Sequence, residues 1–184
     1  KRQQTRMSQD TKKDPCAGAA NDWQAAAAVG EAHKKMLAQV GEWNYDVEFC
    51  MSPGGDTVKS GGKASFKAIL GGRYIEGRFQ GNPSQWSPEG FQGVDILGYD
   101  NGRKHYTGFW LDSSSTQPML STGQMKGNVL EMSGVHDDPM KGLKDQPFRT
   151  LTTYEENKVV MQMFQNHEGS EFVCMTVTHT RATE

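Results

Sequence analysis

Residues 41–51 read GEWNYDVEFCM, and their apolar side chains recur at every second position. Successive side chains of a β-strand point to opposite faces, so this period predicts a half-buried strand with one apolar face and one wet face. The polar face carries acidic and amide side chains that suit contact with water. The apolar positions are Trp43, Tyr45, Val47, Phe49 and Met51.

The chain after residue 51 reads as further short strands separated by turns. Gly61 and Gly62 fall inside one predicted strand, where they indicate a bulge or a sharp bend. Asp100-Asn101-Gly102 predicts a hairpin with a type I′ turn. Residues 136–145, HDDPMKGLKD, are predicted to form a polar loop, and residues 171–181, EFVCMTVTHTR, a β-branched last strand.

These strands number about ten, at the spacing typical of all-β sandwiches and barrels. No helical segment separates them, so consecutive strands are expected to pair as an antiparallel meander. Closing the meander removes the two exposed edges that an open sheet would leave. The predicted fold is therefore all-β: a closed, lipocalin-like antiparallel barrel in which residues 41–51 pair with residues 171–181.

One helix precedes the strands. Residues 21–40, NDWQAAAAVGEAHKKMLAQV, contain four consecutive alanines and a narrow apolar stripe at three- and four-residue steps. Asn21 suits the N-cap and Gly41 the C-terminal stop. This helix is expected to lie across one end of the barrel. Residues 1–20 are predicted to be a disordered basic tail, which leaves residues 21–184 as a single domain.

Charge and hydropathy argue against a nucleic-acid-binding protein and against a membrane-spanning helix. Lys and Arg number 20 against 22 Asp and Glu among 184 residues, so no global field favours nucleic acid. No apolar run reaches the length of about eighteen residues that a membrane-spanning helix needs. No leader sequence is visible, but one could have been removed, so a cytoplasmic and an exported protein both remain open. A homodimer remains open as well.

Three cysteines at wide spacing predict neither a disulfide framework nor a zinc site. Cys50 lies on the first predicted strand and Cys174 on the last, so closure of the barrel would make them neighbours. Two free thiols and one disulfide both remain open at this point.

Several short motifs follow one another along the chain, among them Pro53-Gly54-Gly55, Ile69-Leu70-Gly71-Gly72-Arg73-Tyr74, Trp110-Leu111-Asp112-Ser113 and Asp138-Pro139-Met140. Their collinear order resembles a bacterial family of uncharacterised lipocalin-like proteins, known as domain of unknown function fifteen seventy-nine. The resemblance covers about residues 30–181 and implies a calycin-type barrel with a helix at one end. It implies no activity, substrate or catalytic residue.

A barrel of this size can enclose one small ligand, so the first functional hypothesis is a binder of an apolar or amphipathic molecule. Aromatic and methionine side chains would line the interior, because a methionine-rich lining accepts varied apolar ligands. Arg73 and Asp112 would orient the ligand. The candidate ligand-binding residues are Trp43, Tyr45, Arg73, Tyr74, Trp110, Asp112, Met119, Met161 and Met163.

Three alternatives remain open, although no complete catalytic motif is present. Haem-binding nitrobindin-like barrels are similar in architecture and ligate iron through a histidine near the end of the chain, which makes His179 the metal-ligand candidate. The chain lacks their Gly-x-Trp-x-Gly-x-Gly opening, and no cofactor is expected. An enzyme would use a buried Asp95 or Asp112, whose expected partners are Arg73 and Arg78. A structural or interaction domain is the third alternative.

Overall fold

Ten antiparallel strands form a closed barrel in the computed structural model, which describes residues 22–84, 87–138 and 142–183. Each strand pairs with the next along the chain, and the last pairs with the first. The predicted barrel class is therefore confirmed. The strands are β1 Gly41–Phe49, β2 Val58–Ile69, β3 Tyr74–Gly81, β4 Gln92–Asp100, β5 His105–Asp112, β6 Met119–Lys126, β7 Val129–Asp138, β8 Leu143–Tyr154, β9 Lys158–His167 and β10 Ser170–Arg181.

The barrel closes where β1 pairs with β10. The register runs from Trp43 opposite Arg181 to Phe49 opposite Met175. One further backbone hydrogen bond joins Cys50 N–H to the carbonyl of Cys174 at 2.9 Å. This pairing confirms the closure predicted from the two-residue alternation.

Cys50 and Cys174 are neighbours across this seam, and both are free thiols. The Cys50 Sγ donates to the Val173 carbonyl at 3.5 Å, and the Cys174 Sγ donates to the Met163 carbonyl at 3.4 Å. Burial raises the pKa of the Cys174 thiol to about 11. Cys174 therefore stays protonated at neutral pH and packs as a small apolar side chain.

The predicted N-terminal helical segment is confirmed from residue 22 to residue 39, but it is interrupted, because residues 27–30 are not helical. Residues 22–26 are helical, α1 spans Glu31–Met36, and a 3₁₀ turn follows at Leu37–Gln39. Gly30 is extended, with φ −111° and ψ −169°, and its N–H donates to His33 Nδ1 at 3.1 Å. Glycine carries the largest entropic cost inside a helix, which makes it the weakest point of the segment. The predicted tail and Asn21 lie outside the described residues.

The segment around α1 covers one end of the barrel, as expected. The Tyr106 hydroxyl donates to the Ala32 carbonyl at 3.1 Å, and His33 lies edge-on to Tyr99 with ring centroids 5.7 Å apart. Met36 on α1 is fully buried. In the described part of the chain, no helix combines the length and the apolar content needed to cross a bilayer.

Two predicted connections differ from the observed ones. The hairpin after Asp100 has four loop residues, and Lys104, with φ 58°, takes the left-handed position that a type I′ turn would give to Asn101 and Gly102. The Asp100 side chain stabilises this wider loop by accepting from the N–H groups of Gly102 and Arg103. The loop predicted over residues 136–145 is mostly strand, because β7 continues to Asp138 and β8 begins at Leu143.

Gly61 and Gly62 lie in regular pairing with β1, without the predicted bulge. Gly62 is required by a close approach of the neighbouring strand. A Cβ at this position would collide with the Gln80 carbonyl and would lie 2.7 Å from the Gly81 Cα. The glycine therefore lets β3 curve tightly against β2.

We expect Gly62→Ala to destabilise the barrel by about 1–3 kcal/mol, because the new methyl group forces β3 away from β2. Urea unfolding followed by circular dichroism measures the change. Gly30→Ala is the control, since Gly30 has no atom within 4 Å of its would-be Cβ. Equal, small losses for both variants would contradict the close approach.

Candidate functional site

The interior has an aromatic side, formed by inward-facing residues of β1–β3 and β10. The ring of His179 lies at its centre, with the Phe79 and Phe66 ring centroids 5.8 and 5.9 Å away. The Tyr45 and Trp43 rings follow at 6.1 and 6.5 Å. Trp43 and Tyr45 are only 1% and 5% exposed, so these two predicted lining residues are tightly packed into the wall.

Trp43 also ties the wall to the covered end of the barrel. Its indole N–H donates to the Gln39 carbonyl at 2.8 Å, and the Arg181 guanidinium lies 4.3 Å from the centre of its ring. Arg181 in turn donates to the carbonyls of Val40 and Ala38 at 3.1 and 3.0 Å. A half-buried cation over an indole face contributes about 1 kcal/mol, so this arrangement stabilises the covered end of the barrel.

His179 is the buried polar group of the aromatic side. Neither ring nitrogen has a hydrogen-bond partner among the described residues. Burial lowers the pKa of His179 to about 4. A neutral imidazole has the donor chemistry of a metal ligand. The four surrounding rings nevertheless leave the side chain only 5% exposed, so a haem would not fit beside it without displacing them.

The opposite side of the interior is rich in methionine, and several of its side chains are half-buried. Strand alternation places the methionines of β6–β10 on the inner face, where Met119, Met161, Met163 and Met175 pack around Phe148 and Phe172. Met119 and Met161 stay half-buried although they face inward, as do Thr150, Thr152 and Tyr154. Met163 is buried. We call this surface the methionine side; its residues are Met119, Met132, Thr150, Thr152, Tyr154, Met161, Met163 and Met175.

Trp110 and Asp112 meet at the end of β5. The Trp110 indole N–H donates to Asp112 Oδ2 at 2.7 Å, while Asp112 Oδ1 accepts from the N–H and hydroxyl of Ser114 at 2.8 and 2.5 Å. Trp110 packs against Phe79 with ring centroids 5.0 Å apart. Asp112 therefore ends the strand and fixes the indole, which leaves little of its hydrogen-bonding capacity for a ligand.

Asp95 is the inward-facing carboxyl group without such partners. It lies on β4 between Gly77 of β3 and Trp110 of β5, and none of the described residues donates a hydrogen bond or forms an ion pair with it. Burial raises the pKa of Asp95 to about 7. The expected ion pair does not form, because the two arginines bond elsewhere. Arg78 Nε contacts Glu76 Oε1 at 2.6 Å, and Arg73 Nη1 donates to the Leu70 carbonyl at 3.1 Å.

Arg73 and Tyr74, two of the candidate ligand-binding residues, lie outside the interior. Tyr74 is 38% exposed and covers Gly98 on the outer surface, while Ile75, the next residue, is fully buried inside. Arg73 is exposed in the turn before β3. Neither residue is brought together with the methionine side.

Sequence analysis missed two interior polar groups on the methionine side. His136 Nε2 lies 2.9 Å from Gln165 Nε2, and the His136 ring is edge-on to Phe148 at 6.0 Å. The residues that follow His136 have the polar composition of a loop, so the two-residue alternation did not predict that His136 lies on a strand. Tyr154 ends its strand on the inner face, where burial and the charge of Asp95 raise the pKa of its phenol. No group of three potential metal ligands occurs in the described residues.

Comparison with known proteins places the chain in a family. It matches the family described as Protein of unknown function (DUF1579) over residues 28–181. The chain belongs to the DUF1579 family. No curated protein matches this DUF1579 chain. Among solved structures it is similar to the "Crystal Structure of Rv2717c from M. tuberculosis", with a TM-score of 0.58 and 11% identity over 85% of this chain and 100% of that one. At that identity the likeness shows the fold alone.

We expect Asp95→Asn to reduce the loss of stability that the wild-type barrel suffers as pH rises. The pKa of Asp95 is higher in the folded barrel than its ordinary value, so its contribution to stability is complete below about pH 4 and is lost as pH rises through about 7. Linkage sets an upper limit of about 4 kcal/mol for this loss. Urea midpoints of both proteins at pH 5 and pH 8 measure it.

The outward-facing Asp46→Asn on β1 controls for the loss of one carboxylate. Comparing variant with wild type at each pH cancels the contribution of His179, which both proteins share. Parallel pH profiles for Asp95→Asn and the wild-type protein would contradict the buried, unpaired carboxyl group.

Proposed function

We propose that this protein binds a small apolar or amphipathic molecule inside the barrel, as a lipocalin-like carrier does. The observation that carries the proposal is the partial exposure of inward-facing side chains on the methionine side. A side chain that faces the interior and still has accessible surface borders space that other side chains do not fill. The aromatic side, whose residues are buried, forms the solid back of the same interior.

The lining chemistry suits an apolar body. Methionine adapts its shape to irregular ligands, and the hydroxyl groups of Thr150 and Thr152 add weak polar contacts. Burying about ten methylene groups of a ligand would contribute about 8 kcal/mol before ordering costs. A micromolar complex needs about 8 kcal/mol after those costs, so burial of the apolar body supplies most of the binding free energy. The lining set that we propose is Trp110, Asp95 and the methionine side; Trp43 and Tyr45 form its rigid wall.

The neighbours Thr152 and Thr153 provide a matched test. Thr152 faces inward opposite Met161, whereas Thr153 faces outward opposite Val160. We expect Thr152→Phe to weaken binding of Nile red, a neutral apolar fluorophore, by at least about tenfold because the new ring fills the space. Thr153→Phe should leave binding unchanged. A fluorescence titration measures both.

Circular dichroism confirms that each variant is folded before the titration. Equal binding by the two variants, or no binding of Nile red by the folded wild-type protein, would overturn the proposed site. Mass spectrometry of a denatured, freshly purified sample supplies an independent readout, since a bound ligand would be released.

An enzymatic function would rest on Asp95. Its raised pKa near 7 suits a general acid or base, while Asp112 is already held by Trp110 and Ser114. Turnover of ester, lactone or ketosteroid substrates that disappears in Asp95→Asn would support this alternative. The haem alternative has a similarly direct test. A Soret band after haem addition that is lost in His179→Phe would favour it against the packing described above.

An interaction role is favoured by a row of apolar residues on the outer surface. Ile96, Phe109, Leu120 and Val135 occupy successive paired positions across β4–β7, with Leu120 61% and Val135 51% exposed. Exposed apolar rows of this kind occur at protein interfaces. If a second copy covers the row, the protein is a homodimer that Leu120→Glu converts to a monomer, as sedimentation equilibrium would detect. A monomeric wild-type protein would exclude this role for the row.

A further inference from the structure

The neighbours of Asp95 on the adjacent strands carry no charge. Its direct neighbour on β3 is Gly77, and the space that a side chain would occupy there is taken by the Phe66 ring, 2.5 Å from the would-be Cβ. Its direct neighbour on β5 is Trp110. The carboxyl group therefore faces the interior with the Phe66 ring on its β3 side. On its β5 side the Trp110 ring lies over Gly93, and its indole N–H donates to Asp112.

No lysine or arginine among the described residues forms an ion pair with this carboxyl group. In β2, β3, β6, β8 and β9 these residues are out of phase with the inward-facing side chains, except Lys144, which is exposed at the start of β8; the out-of-phase residues are Lys59, Lys63, Lys67, Arg78, Lys126, Arg149 and Lys158. Arg181 does face inward on β10, but it is held over Trp43 at the covered end. A buried carboxylate without a partner is costly, and a ligand that supplies a positive charge would remove that cost.

Tyr154 provides a second unused polar group on the same interior. Its phenol interacts electrostatically with Asp95, and among the described residues no side chain or backbone group pairs with its hydroxyl. Tyr106 differs, because its hydroxyl already donates to the Ala32 carbonyl. A phenol oxygen can accept one N–H of an amine while a carboxylate accepts another.

We infer that the ligand of this barrel is an organic cation, namely an apolar molecule that carries a protonated amine bound at Asp95. The inference rests on the proposed binding function and specifies its ligand class. The ammonium group donates one N–H to Asp95 and another to the phenol oxygen of Tyr154. The apolar body extends along the methionine side. A fatty acid is disfavoured, because its carboxylate would face Asp95 without a cation between them.

Three ligands of equal chain length separate the headgroup from the body: decylamine, decanol and decanoate. Each is used to displace Nile red at pH 8, below the concentration at which it forms micelles. We expect decylamine to displace the dye at a concentration at least about tenfold lower than decanol does, and decanoate to be the weakest. Asp95→Asn should lose the preference for decylamine and still bind Nile red. Asp46→Asn, outward on β1, should keep the preference.

The outcomes distinguish this inference from the function on which it rests. If Nile red binds and decanol or decanoate competes as well as decylamine, the ligand class is wrong while the binding function stands. If the preference persists in Asp95→Asn, the cation site lies elsewhere and the inference is overturned. If the folded wild-type protein binds neither Nile red nor any of the three ligands, the binding function fails and the inference fails with it.

Discussion

The structure depends on the pairing of the first strand with the last. β1 and β10 join over seven residue pairs, from Trp43 opposite Arg181 to Phe49 opposite Met175. Without this pairing both strands would expose unpaired backbone groups, and the rings of Trp43 and His179 would not pack against each other. Closure converts ten short strands, each with one apolar face, into an interior that side chains from opposite walls share.

That interior is asymmetric, and the asymmetry carries the functional argument. On one side, the rings of Trp43, Tyr45, Phe66 and Phe79 fill the space around His179. On the methionine side, inward-facing residues keep accessible surface. The boundary between the sides falls at β4, where Asp95 lies beside the Phe66 ring and forms no ion pair with any described residue. The aromatic wall, the methionine side and this carboxyl group are the three features on which the proposed binding function depends.

Alternation in the sequence was sufficient to predict the number and pairing of the strands, because each strand buries one face. The same alternation predicts the orientation of Tyr74. Ile75 and Phe79 face inward, and Tyr74 lies an odd number of residues from each, so it faces outward. The break near Gly30 had a local signal, since glycine is the residue of that segment with the largest entropic cost inside a helix. The strand character of His136 had none, because it follows from pairing with Gln146 on β8. Alternation also predicts that Arg78 points away from Asp95, since it has the same outward phase as Tyr74, whereas Arg73 lies in the turn before β3, where alternation gives no orientation.

The central claim is that a closed barrel leaves apolar space between β4 and the methionine side. A crystal of the protein under xenon pressure tests it directly, because xenon enters apolar cavities without needing a polar contact. The account predicts anomalous xenon density bordered by Asp95, Trp110, Thr152 and Met161. Well-ordered side chains that fill this region, with no xenon between them, would contradict the account.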